Sequence, residues 1–212
     1  MFRVKICGIT NWTDARHAIE AGCDAIGFNF YPLSPRYVTP QAAEAIRRRL
    51  PREIAAVGVF VNEAPAAVAE LAGAIHLDYA QLHGEERPAA ARAVARSATV
   101  IKAFRVGPRF RVAQIARYPA AAFLLDGAPP RGRLRGGTGH SFDWALARPA
   151  AQYGPIVLAG GLTAENVAQA IRTARPTAVD VASGVESAPG HKDPRKLRAF
   201  LDAVDSALED FA

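Results

Sequence analysis

The most constraining feature of this chain is its rhythm, in which short apolar strands alternate with amphipathic or alanine-rich helical stretches eight times. Near the start, Phe2, Val4 and Ile6 alternate with Arg3 and Lys5. Ala15, Ala18 and Ile19 then recur at helical spacing, with Thr13 as a candidate N-cap and Gly22 as a stop. Residues 24–30 read as a second strand, and Thr39-Pro40 pairs an N-capping side chain with a proline at the first helical position. Ala42, Ala43, Ile46 and Leu50 continue that helix as a stripe, which Pro51 stops. The run 55–61 is almost continuously apolar, as in a parallel strand covered on both faces. Further strands are expected at 79–84, 99–104, 121–125, 155–158 and 178–181. Helices are expected at 64–74, 86–96, after Pro108, and at 142–147, 163–172 and 194–208.

Eight strand-helix units in 212 residues, without a composition shift to mark a linker, predict one α/β domain over residues 1–212. The predicted architecture is a closed (β/α)8 barrel, with an open doubly wound sheet as the alternative. In such a barrel, loops leaving the C-terminal ends of the strands converge on one crevice.

Partners and compartment follow from what the chain lacks. No apolar run reaches the length of a membrane span, and Met1-Phe2-Arg3-Val4-Lys5 enters a strand directly rather than a secretory leader, so a cytoplasmic protein is expected. The net charge of +6 raises nucleic acid as a partner, yet the basic residues are dispersed and no nucleic-acid-binding motif is present. The same charge would attract a small polyanionic substrate. The two cysteines do not make a disulfide framework, and no His/Cys/Asp/Glu set has metal-ligand spacing, so no metal is predicted.

Chemistry collects at the predicted barrel mouth. Cys7 ends the first strand, where a thiol is either a reactive group or a small buried hydrophobe; Cys23, at the opposite end of the next strand, receives no role. Three glycine-rich stretches fall on the same edge: Gly136-Gly137-Thr138-Gly139, Gly160-Gly161 and Ser183-Gly184-Val185. Glycine lets backbone N–H groups approach an anion, and helix starts after strands seven and eight would add dipoles, so a phosphate site is expected. Asp126 ends the sixth strand as a turn aspartate or as a partly desolvated acid. With Cys7 as base, it would make a general acid/base pair across one substrate. Arg36 suits a substrate carboxylate, Gln81 and His83 have supporting positions, and Asp180 either faces the mouth or stabilises a loop.

Taken in order, these residues resemble the phosphoribosylanthranilate isomerase family of tryptophan biosynthesis. The likeness runs through Lys5-Ile6-Cys7-Gly8-Ile9-Thr10, Ser34-Pro35-Arg36-Tyr37, Gly58-Val59-Phe60-Val61-Asn62 and Gln81-Leu82-His83-Gly84. It continues in Leu125-Asp126, Gly136-Gly137-Thr138-Gly139, Ala159-Gly160-Gly161-Leu162 and Val179-Asp180-Val181-Ala182-Ser183-Gly184-Val185-Glu186. The resemblance implies an Amadori rearrangement of N-(5-phosphoribosyl)anthranilate to 1-(2-carboxyphenylamino)-1-deoxyribulose 5-phosphate, without a cofactor. Asp126 would protonate the ring oxygen and Cys7 would remove the proton from C2. Arg36 would hold the anthranilate carboxylate, and the loops at 160–161 and 183–185, with Gly137, the phosphate. The implied partner is this phosphosugar-anthranilate substrate, with no nucleic acid or membrane, in a monomer or weak homodimer. The stretch Gly127 to Arg135 is longer than in many family members and is expected to act as a mobile lid. Two rivals remain: the histidine-pathway isomerase, whose catalytic pair would be carboxylates, and a non-catalytic phosphate-binding barrel.

Overall fold

The computed structural model describes residues 1–127 and 143–210. The strands β1 (Val4–Cys7), β2 (Ala25–Asn29), β3 (Ala55–Phe60), β4 (Tyr79–Leu82), β5 (Val100–Val106), β6 (Ala122–Gly127), β7 (Ile156–Leu158) and β8 (Ala178–Val181) form a closed barrel in chain order. Every neighbouring pair is parallel, and β8 returns to β1 through Val4↔Val179, Lys5↔Asp180 and Ile6↔Val181. Closure excludes the doubly wound alternative, because that fold leaves two sheet edges open. Around the ring lie α1 (Trp12–Ala21), α2 (Pro40–Arg47), α3 (Pro65–Ile75), α4 (Pro88–Val94), α5 (Ala147–Ala150), α6 (Val167–Ala174) and α7 (Pro194–Glu209).

Local chemistry sets most helix starts. Prolines 40, 65, 88 and 194 occupy the first helical positions of α2, α3, α4 and α7, where the missing N–H has no consequence. Thr39 caps α2 as expected, whereas α1 is capped by Asn11 instead of Thr13: the Asn11 side chain accepts from the Asp14 amide at 2.9 Å. After β5 the chain makes a 3-10 helix, Val112–Arg117, in place of an α-helix. Ile115 is the one residue this segment buries, and a single apolar anchor gives no stripe for an α-helix to pack with. Before β7, α5 is flanked by the 3-10 turns Trp144–Leu146 and Ala151–Tyr153. The hairpin of β9 (Glu186–Ala188) and β10 (His191–Lys192), between β8 and α7, was not legible in the sequence pattern.

The core has two layers. Val4, Ile6, Ile26 and Phe28 point outward and pack with the helices, including Leu197, Phe200, Leu201 and Val204 of α7. Burying each such side chain contributes about 1.5–3 kcal/mol. The lumen is filled by Phe2, Ala25, Val57, Ile101, Ala103, Ala122, Leu124, Val157 and Ala178. The alternation of β1 is thus inverted relative to a surface strand: its apolar face meets the helices, and Lys5 enters the lumen, fully buried. Among the described residues, no helix is long and apolar enough to cross a membrane.

Candidate active site

Because side chains alternate along a strand, residues two positions beyond the lumen fillers continue the same row into the barrel mouth. Cys7 follows Lys5, Arg105 follows Ala103, and Asp126 follows Leu124 in this way. All three line one cleft, together with Asn29, Arg36, His83, Gly160, Gly161, Asp180 and Ser183. Gln81, Gly184 and Val185 are not among its lining residues. Gly137 and residues 128–135 of the expected lid lie outside the described residues. No group of three or more His, Cys, Asp or Glu among the described residues could hold a metal ion.

The strands bring Cys7 and Asp126 to the cleft from different sides of the barrel, β1 and β6. Cys7 is buried, and burial pushes its thiol above the ordinary cysteine range. The Lys5 charge opposes that rise, Asp180 adds to it, and Lys192 opposes it. Asp126 is the terminus of a short chain of contacts. Gln81 Nε2 lies 2.7 Å from His83 Nδ1, and His83 Nε2 lies 3.1 Å from Asp126 Oδ2. With the Gln81 amide donating to Nδ1, the imidazole keeps its proton on Nε2 and donates it to Oδ2. Gln81 and His83 therefore orient the carboxyl group and leave Oδ1 for a ligand.

Arg36 carries a neighbour that sequence reasoning did not assign. Its Nε and Nη2 donate to Glu186 Oε1 and Oε2 at 2.8 and 2.6 Å, a bidentate pair. Lys192 Nζ donates to the same carboxylate at 2.9 Å, to the Cys7 carbonyl at 2.7 Å and to the Ala182 carbonyl at 3.1 Å. Burial works against the Glu186 charge, but Arg36 and Lys192 hold its carboxyl below the usual carboxylate range. One guanidinium edge is thus fixed, and the Nη1 side remains for a ligand carboxylate. Arg105 was also missed. It sits in register with Asp126 and has no ion-pair partner among the described residues. The available signal was its place two residues after a lumen alanine.

Gly160 and Gly161 have φ of +84° and +68°, and among the described residues their N–H groups have no acceptor. Asn166 holds this turn by accepting from the Thr163 amide at 2.9 Å and donating to the Gly161 carbonyl at 2.8 Å. The expected helix dipoles are weaker contributors than predicted. α6 begins at Val167, a turn beyond these glycines, and β8 is followed by the 3-10 turn Ser183–Val185 rather than an α-helix. Two consecutive left-handed glycines instead leave amides that a phosphate can accept from.

A family model described as N-(5'phosphoribosyl)anthranilate (PRA) isomerase matches residues 4–203. An N-(5'-phosphoribosyl)anthranilate isomerase of Solibacter usitatus is 53% identical over 205 residues, covering 97% of this chain and 98% of that one. The crystal structure of phosphoribosyl anthranilate isomerase from Thermotoga maritima superposes with a TM-score of 0.88 at 43% identity, covering 97% of this chain and all of that one. A third likeness is a phosphoribosyl anthranilate isomerase solved in complex with reduced 1-(o-carboxyphenylamino)-1-deoxyribulose 5-phosphate, with a TM-score of 0.86 at 42% identity, covering 97% of this chain and 100% of that one. Shared across nearly the whole barrel, these matches leave one assignment: the chain belongs to the N-(5'-phosphoribosyl)anthranilate isomerase family.

Proposed function

We propose that this chain catalyses the Amadori rearrangement of N-(5-phosphoribosyl)anthranilate in tryptophan biosynthesis, with Asp126 as general acid and Cys7 as general base. The observation that carries the assignment of roles is that one thiol and one carboxyl group line the same cleft from β1 and β6. Arg36, with its open Nη1 side, receives the anthranilate carboxylate. The amides of Gly160 and Gly161, with Ser183, Gly184 and Val185 and aided by Gly137, receive the phosphate. Asp180 borders the sugar. Asp126, oriented by His83 and Gln81, gives its proton to the furanose ring oxygen as the C1–O bond breaks, and the nitrogen lone pair forms the iminium. The iminium acidifies C2–H, and Cys7 in its thiolate form takes that proton, leaving an enol-amine. Tautomerisation moves the enol proton to C1, and one proton passing from Cys7 to Asp126 through solvent resets the pair. No cofactor or metal takes part in these steps.

In this reading residues 1–212 act as one catalytic domain in the cytoplasm, as a monomer or weak homodimer, without nucleic-acid or membrane partners. The test follows the fluorescence of substrate generated in situ. Wild type should consume it rapidly, and Cys7→Ala and Asp126→Asn should not exceed background. Background decay with folded wild type would reject the reaction. Full activity in either variant would reject the acid/base assignment.

A further inference from the structure

Lys5 is a fully buried ammonium in the lumen, directly below the thiol that ends the same strand. Its Nζ lies 2.7 Å from Asp180 Oδ1, a buried ion pair. The two charges offset part of each other's burial cost, which an unpaired ammonium outside water would bear alone. The neighbouring strand leaves room beside them. A methyl group at Gly27, the register partner of Cys7, would stand 2.9 Å from Cys7 Sγ and 3.2 Å from Lys5 Nζ. Sulfur and ammonium thus share a space that only a glycine leaves open. Lys192, the other cation beside Cys7, differs: it is held by two carbonyls and Glu186, and Glu186 is in turn paired with Arg36.

We propose that Lys5 is a positioning residue for Cys7: its ammonium, anchored by Asp180, stabilises the thiolate and so determines how much of the base form meets the substrate. The inference rests on the role of Cys7 as the base. Charges reach the sulfur from three elements: Lys5 of β1, Asp180 of β8 and Lys192 of β10. Lys5 and Lys192 favour the thiolate and Asp180 disfavours it, against a burial penalty larger than any of them. Asp180 therefore has two opposed effects, holding the cation in place while repelling the sulfur's charge. During turnover the thiolate takes the C2 proton and becomes a thiol, and Lys5 keeps all its protons throughout.

The ionisation of Cys7 is measurable without turnover, so this inference and the proposed reaction fail separately. The experiment is the rate of carbamidomethylation of Cys7 by iodoacetamide at about pH 8, followed by mass spectrometry of its peptide, since the alkylation rate tracks the thiolate fraction. Cys23, pushed up to about 12 by burial, does not interfere. Lys5→Met should slow alkylation about tenfold or more, the effect of losing an adjacent opposite charge. Its kcat/KM should fall by a similar factor, and the pH at which alkylation reaches half its limiting rate should move up. Should Lys5→Met fail to fold, Lys5→Met/Asp180→Asn removes both buried charges together and should still alkylate more slowly than wild type. A merely structural lysine predicts the reverse, because a loosened barrel exposes the thiol. Unchanged or faster alkylation in the Lys5 variant that folds would overturn the proposal.

Discussion

Replacing Gly160 by alanine tests whether the barrel mouth is as rigidly set as its geometry implies. Gly160 has φ of +84°, and its added Cβ would overlap the Gly127 backbone nitrogen and stand 2.7 Å from Asp126 Oδ1. The left-handed conformation costs an alanine about 1–2 kcal/mol, and overlap with backbone that no rotamer change can relieve adds about 1–3 kcal/mol. The sum, about 2–5 kcal/mol, is well within the stability of an ordinary domain, so the variant should fold. Ordinary contact begins at 3.4 Å, so Asp126 Oδ1 must retreat by about 0.7 Å. A misplacement of that order costs about 10- to 100-fold in kcat. Urea denaturation and substrate-fluorescence kinetics measure the two effects, and two control glycines separate them. Gly22→Ala carries positive φ with nothing within 4 Å, so it should lose stability alone. Gly73→Ala, in α3 with open space around it, should gain about 0.5–1 kcal/mol. A Gly160→Ala protein with wild-type kcat and wild-type stability would refute the reasoning.

Four further outcomes are expected. Glu86→Gln should destabilise by about 3–5 kcal/mol in urea titrations, because the buried Lys102 ammonium, now 2.7 Å from Glu86 Oε2, loses its counter-charge and keeps only the Leu82 and Gly84 carbonyls; a loss below about 1 kcal/mol would show that those carbonyls suffice. Stability should decline as pH falls below the ordinary glutamate range near 4.3. Burial opposes the charges of Glu86 and Glu186, but Lys102 and the Asn62 amide in one case, and Arg36 and Lys192 in the other, hold both carboxyls low. Their contribution is present above the unfolded value and lost as pH drops through the folded one; thermal melts against pH check the direction. Alkylation of Cys7 by iodoacetamide should still accelerate above about pH 8, because burial holds its thiol above the ordinary cysteine range; a rate that levels off below that pH would show an ordinary or lowered thiol. Glu186→Gln should raise KM about tenfold by freeing the Arg36 fork, with a smaller change in kcat, in steady-state assays.

What the sequence disclosed, and what it hid, divides along physical lines. Strand and helix periodicities were legible because the longer helices bury one stripe and strands such as β3 and β7 are apolar on both faces. Cys7, Arg36, His83 and Asp126 were placed in the cleft because each closes a strand or enters the loop after one. Lys5 was hidden because a lysine alternating with Val4 and Ile6 has the same pattern on a solvent-facing strand; only ring closure turns that face inward. Glu186 and Lys192 were hidden for a different reason: their partners, Arg36 and the Cys7 carbonyl, lie far off in sequence. The 3-10 segment after β5 escaped because a single buried isoleucine gives no periodicity to read.

The bond from Lys192 to the Cys7 carbonyl joins groups 185 positions apart, and β8 pairs with β1 in the same region. During synthesis β1 therefore waits for β8 before its second edge is covered. Until then a nascent chain carries open parallel edges at both ends of a growing arc, available to other chains. Closure is also entropically remote, since the strands that meet, β1 and β8, sit at the two ends of an eight-strand arc. Because α7 packs against α1 once the ring is shut, those ends finish as neighbours. A circularly permuted gene that encodes β8 and the hairpin directly before β1 would make this junction early, shortening the time spent as an open arc.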